Sequence, residues 1–169
     1  MKREQSRPVV VTGKTARRTG RRPSALLRTS KSKVHGRGVF ATGLIRKGKR
    51  IIEYAGERVS WEAAPNDDTD PHTFNFGLSN GQVINPLVGG NEARWINHSC
   101  SPNCEAIEED DRIYIYAKRD IQPGEELSYD YALEIDEPIT GKTLEQYKCS
   151  CRSKNCRGTF LELKKAKGR

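Results

Sequence analysis

Apolar residues in this chain come in short bursts rather than in long periodic runs. The stretch "GVFATGLIRKGKRIIEYAGERV" predicts a strand at Gly38 to Ala41, a turn around "RKGKR", and a strand at Ile51 to Tyr54 that ends by Gly56. "SWEAAPNDDTDP" allows one helical turn before Pro65, and "HTFNFGL" and "GQVIN" read as further short strands. "NEARWINH" fits another helical turn. "DRIYIYAKRD" alternates apolar and polar or aromatic residues after an acidic turn, and "EELSY" continues the pattern after the Pro-Gly turn of "IQPG". No period of 3.6 lasts beyond a turn or two, and no internal repeat is visible. The pattern predicts a mainly β domain of short strands. Upstream, to about Ser30, apolar residues are too few to pack, so this segment reads as an arm and the fold is expected to begin near Ser32.

Composition narrows the class. Hydrophobic residues are 34% and charged ones 31% of 169 residues, with no apolar run near the eighteen that a helical span requires. No apolar centre follows the basic N-terminus, so neither a membrane anchor nor export is expected, and the five cysteines are placed in a reducing, intracellular compartment. There a tight cysteine cluster favours a metal over a disulfide framework. The net charge of +8 divides unevenly: residues 1–33 hold eleven Lys/Arg and one acid, whereas residues 34–163 hold fifteen against twenty-one, a charge of −6. Basic ends suit weak nucleic-acid contact, and an acidic body attracts a basic polypeptide.

Two glycines in "HGRGVF" do not make a dinucleotide fold, because the third glycine and the following long helix are both absent. They do offer backbone N–H groups that a ligand can approach closely. Near the C-terminus, "CSCRSKNC" sets Cys149, Cys151 and Cys156 in a C-x-C-x4-C spacing, one thiolate short of a tetrahedral zinc site. The fourth ligand is sought at Cys100 or Cys104. The metal would then supply ordering energy to a tail that seems too poor in apolar residues to dock by burial alone.

Taken in order, "HGRGVF", "EYAGE", "GGNEARWINHSCSPNC", "GEELSYDY" and "CSCRSKNCRGTF" resemble the SET-domain protein lysine methyltransferases with a zinc-binding C-terminal extension. The resemblance covers about residues 32–163, and the short central region is similar to that of compact bacterial-type members. It implies a SET-domain β-clip of small curled sheets with short helical turns, in which "NHSC" threads beneath a loop as a pseudoknot beside "YDY". It divides the chain into a disordered basic arm (1–31), the SET domain (32–133), a zinc-binding post-SET segment (145–163) and a basic tail (164–169).

The resemblance also implies roles. Backbone at His35, Gly36, Arg37 and Gly38 would hold the methionine part of S-adenosylmethionine, and Asn97 and His98 its adenine end. His72 stands where many members carry a cofactor-contacting Tyr. Cys100 would join Cys149, Cys151 and Cys156 on zinc, leaving Cys104 as a packed thiol, while Trp95 and Ile96 pack inward. Tyr131 would orient the substrate amine, with Tyr54 lining the same channel and Tyr129 limiting the product mainly to monomethyl-lysine. Asp130 is expected to face a basic substrate such as a histone. The implied activity is S-adenosylmethionine-dependent protein-lysine methylation, in the cytoplasm of a bacterium or the nucleus of a eukaryote, without membrane contact. The rival reading is a non-catalytic, zinc-stapled module that binds nucleic acid or protein.

Overall fold

The computed structural model describes residues 26–65, 74–135 and 138–163, with the backbone of 7–8 and 11–12. The strands, in chain order, are β1 (Arg7–Pro8), β2 (Val11–Thr12), β3 (Leu27–Lys31), β4 (Arg37–Ala41), β5 (Arg50–Glu53), β6 (Glu57–Val59), β7 (Phe76–Gly77), β8 (Val83–Asn85), β9 (Asn97–His98), β10 (Cys104–Glu109), β11 (Arg112–Ala117), β12 (Ser128–Tyr129) and β13 (Leu133–Glu134). A 3-10 turn spans Glu92–Trp95, and one short helix, α1, spans Gly141–Gln146.

These strands form small separate sheets, as the bursts of apolar sequence predict. The largest has the order β2-β10-β11-β5, and the others are β3-β4, β6-β8-β7, β9-β12 and β1-β13. In β11, Ile113 and Ile115 are fully buried while Tyr114 and Tyr116 alternate onto the outer face. There Arg50 lies over the Tyr114 ring at 4.4 Å and Tyr116 donates to Glu109 Oε1 at 2.7 Å. The inner face meets Val39, Ile45, Ile51, Ile121 and Leu127 in one core. β9 and β12, some thirty residues apart in sequence, run parallel with Asn97 opposite Ser128 and His98 opposite Tyr129. Asn103 ties this junction, accepting from Ser128 N at 2.9 Å and donating to Glu126 O at 2.8 Å.

Three differences from the sequence reading have physical causes. The fold begins before Ser32: Leu27–Lys31 pairs with Arg37–Ala41, and Leu26 and Leu27 pack against the core. Two apolar residues suffice because the hairpin partner supplies the other strand. β10 hides in the acidic sequence "CEAIEE", yet pairs with β11 along six residues, and its buried Glu108 accepts from Ser79 N and Oγ. α1 starts at a capping box in which Thr140 and Thr143 exchange side-chain to backbone bonds, with Thr in the place usually held by Glu or Gln.

The C-terminal segment returns to the body. Leu133 pairs with Leu161, donating to Phe160 O and accepting from Glu162 N, and both Phe160 and Leu161 are buried. The expectation that this tail lacks apolar residues for docking is therefore corrected: "GTFLEL" contributes two, and the cysteines hold the rest.

Candidate active site

A cleft enclosing about 760 Å³ of space opens between these small sheets. At one end stand His35, Gly36, Arg37 and Asn97, and at the other Tyr54, Phe76, Tyr129, Tyr131 and Phe160. The first end is a loop made rigid by hydrogen bonds. Asn97 directs its amide N–H groups to Arg37 O at 2.8 Å, His35 O at 3.2 Å and Glu126 Oε1 at 2.9 Å. Glu126 also accepts from Ser32 Oγ at 2.7 Å. A Cβ on Gly38 would lie 2.2 Å from Glu126 Oε1, so glycine is needed there for a carboxylate that organises the loop. Glu126 did not emerge from the sequence. Its signal is a charged residue directly before the fully buried Leu127.

The second end is aromatic. Tyr54 and Phe76 lie 5.2 Å apart by ring centroids, and Tyr129 and Tyr131 4.9 Å. Tyr54 donates its hydroxyl hydrogen to Phe74 O at 2.5 Å, and Tyr131 its own to Ile96 O at 2.8 Å. Burial pushes all three tyrosines above the ordinary phenol range, so each stays protonated at neutral pH. No carboxylate lines the cleft among the described residues. Ile96 packs inward as expected, whereas Trp95 lines the cleft, with the guanidinium groups of Arg37 and Arg94 at 5.2 and 4.7 Å from its ring.

His98 sits behind the aromatic wall, buried, and does not line the cleft. Its Nδ1 accepts from Tyr131 N at 3.1 Å, which places the proton on Nε2, 3.3 Å from Cys100 Sγ. Burial holds this imidazole neutral, down to about 4. Both ring nitrogens are thus engaged within the protein, and any cofactor contact from His98 falls to its backbone. His72 lies outside the described residues.

The sulfurs of Cys100, Cys149, Cys151 and Cys156 all lie within 4.8 Å of one another, and those of Cys100 and Cys149 are 3.7 Å apart. Thiolates held at about 2.3 Å by a tetrahedral zinc would stand roughly 3.8 Å apart. Each sulfur also receives one backbone N–H: Cys100 from Arg157, Cys149 from Cys151, Cys151 from Cys100, and Cys156 from Gly158, at 3.3 to 3.5 Å. Such donors stabilise negative sulfur, so the set fits a zinc ion. Cys104 is fully buried away from this cluster, and burial lifts its thiol to about 12.

Asp130 does not face open solvent for a substrate. Arg157 grips it with two bonds of 2.6 and 2.7 Å and donates through Nε to Leu161 O, which pins the C-terminal segment beside Phe160. Neither Phe160 nor this ion pair emerged from the sequence as part of the site, although an aromatic beside a cysteine cluster was visible.

Residues 36–132 match the family model described as SET domain, and the chain belongs to that family. Its relatives include the histone-lysine N-methyltransferase trr of Drosophila melanogaster, 38% identical over 76% of this chain, and trithorax of Drosophila virilis, 37% over 75%. The histone-lysine N-methyltransferase SETD1B of Homo sapiens is 34% identical over 79%. The chain spans only 5%, 3% and 7% of the lengths of these relatives. The likeness to compact bacterial-type members gains no support from these animal proteins. No described helix is long and apolar enough to cross a membrane.

Proposed function

We propose that the chain is an S-adenosylmethionine-dependent protein-lysine N-methyltransferase acting on a basic protein such as a histone, and mainly monomethylating. The observation that carries this reading is the pair of hydroxyls on Tyr54 and Tyr131. Each has spent its hydrogen on a backbone carbonyl, so each presents only oxygen lone pairs to the cleft. Such oxygens accept N–H bonds from a lysine amine and turn the nitrogen lone pair elsewhere, which aligns it for attack on a methyl group. S-adenosylmethionine, when bound, supplies that methyl as a sulfonium electrophile.

The loop of His35, Gly36, Arg37 and Gly38, braced by Asn97, would hold the cofactor, with the backbone of His98 nearby. A lysine ammonium, with an ordinary value of about 10.4, must first lose a proton. The protonated tyrosines are poor bases and no cleft carboxylate is at hand, so the aromatic channel acts by desolvating the ammonium and lowering its pKa. Zinc on Cys100, Cys149, Cys151 and Cys156 would fix the segment that carries Phe160.

The monomethyl preference rests on Tyr129. Its hydroxyl has no protein partner among the described residues, although the ring lines the cleft and is nearly buried. A water held there would occupy the room needed by a partly methylated amine.

The test is methyl transfer from labelled S-adenosylmethionine to a histone mixture by the parent and by Tyr131→Phe. The parent is expected to label lysine, and the variant to lose roughly 100-fold or more. No label from the parent, with cofactor binding intact, would favour the non-catalytic module.

A further inference from the structure

The N-terminal arm crosses the cleft. β1 runs antiparallel to β13, with Arg7 opposite Glu134 and Pro8 opposite Leu133, and it also lies against β7. Leu133 of β13 and Phe76 of β7 both line the cleft, so the arm passes between two of its walls. Shortly afterwards β2 pairs in parallel with β10, Val11 opposite Ile107 and Thr12 opposite Glu108, which anchors the arm a second time.

The register accounts for the residues found there. Leu133 spends both backbone groups on the C-terminal segment, donating to Phe160 O at 3.1 Å and accepting from Glu162 N at 2.8 Å. The residue opposite it needs no N–H, and proline occupies that place without losing a ladder bond. Opposite charges at Arg7 and Glu134 favour the pairing, and the sequence after Glu134 continues with Asp136 and Glu137. The arm carries eleven Lys/Arg in its first 33 residues.

We propose that the track between β13 and β7 is a bed for an extended basic peptide, and that the chain's own arm lies in it as an intramolecular competitor. The arm brings no acceptor amine to this register, because its paired residues are Arg7 and Pro8 and its neighbouring lysines are Lys2 and Lys14. The contact stands on geometry alone. Its consequence, restrained methylation of other proteins, rests on the methyltransferase reading.

Hydrogen exchange and steady-state kinetics on the full chain test both parts. Arg7→Glu is expected to speed amide exchange in β13 and β7. With the arm seated in about 90% of molecules, releasing it lowers the KM for a Lys/Arg-rich peptide about ten-fold at unchanged kcat. Glu134→Arg is expected to speed the same amides, and Arg7→Glu combined with Glu134→Arg to restore their protection, which a merely destabilising substitution would not do. Unchanged exchange in Arg7→Glu overturns the contact, whatever the activity. Faster exchange with no methyl transfer from any form keeps the contact and overturns the catalytic reading instead. A methyl group on Lys2 or Lys14 in the intact parent makes the arm a substrate and overturns its role as an inert competitor.

Discussion

The cleft has two walls of different construction. One wall, within residues 36–132, is set in a continuous core, where Tyr54, Phe76 and Tyr129 are nearly buried and rest on β5, β7 and β12. The other, contributed by the C-terminal segment through Phe160, is attached by a few discrete links. These are the four cysteines, the Asp130–Arg157 pair, the backbone bonds at Leu133, and the burial of Phe160 and Leu161. Burial spreads stability over many contacts, whereas a metal cluster concentrates it in one place. The first wall should therefore survive conditions that release the second.

The largest expected effect follows from that contrast. A strong chelator, or Cys149→Ser, is expected to free the C-terminal segment and cut methyl transfer by about 100-fold or more, as a displaced aromatic wall no longer positions the amine. The body should keep its cooperative unfolding transition. Near-ultraviolet circular dichroism would follow Phe160 and Tyr147, whose rings lie 5.6 Å apart, while amide exchange would follow β10 and β11. Loss of exchange protection throughout β11 on chelation would show that the two walls are one cooperative unit.

Much of the first wall was legible because its signals are local. Alternation in "DRIYIY" identifies β11 and both of its faces, and short motifs mark Asn97, Tyr129 and Tyr131. The links between walls were less legible because they join distant residues. Nothing near Asp130 in sequence points to Arg157, whose guanidinium takes the carboxylate that a substrate was expected to meet. Motif order brought Asn97 and His98 to the site together, but the fold divides their side chains, one to the cofactor loop and one to Cys100 and Tyr131. β10 stayed hidden because its acidic residues disguise a strand whose stability comes from its partner.

A smaller effect is expected at the loop end of the first wall. In Gly38→Ala the new methyl group would displace the Glu126 carboxylate and strain its bonds from Ser32 and Asn97. The cost should be about 1–3 kcal/mol of stability, with weaker cofactor binding and an intact cysteine cluster. Thermal unfolding and titration with S-adenosylmethionine would measure both. An unchanged cofactor affinity would separate the glycine requirement from the cofactor and leave it to folding alone.

Tyr129→Phe is expected to have the smallest effect on the structure and to be the most informative about the channel. The hydroxyl that it removes has no protein partner among the described residues, so the folded state loses little, within about 1 kcal/mol. Ring stacking on Phe76, at 6.1 Å between centroids, is available to phenylalanine as well. What changes is the solvent at the channel wall: without a hydroxyl to hold it, water leaves room for a methylated amine to turn and react again. A mass-spectrometric time course should then show dimethyl-lysine accumulating at the expense of monomethyl-lysine, with the first transfer little altered. An identical product distribution would mean that the walls themselves, and not a water held between them, set the number of methyl groups.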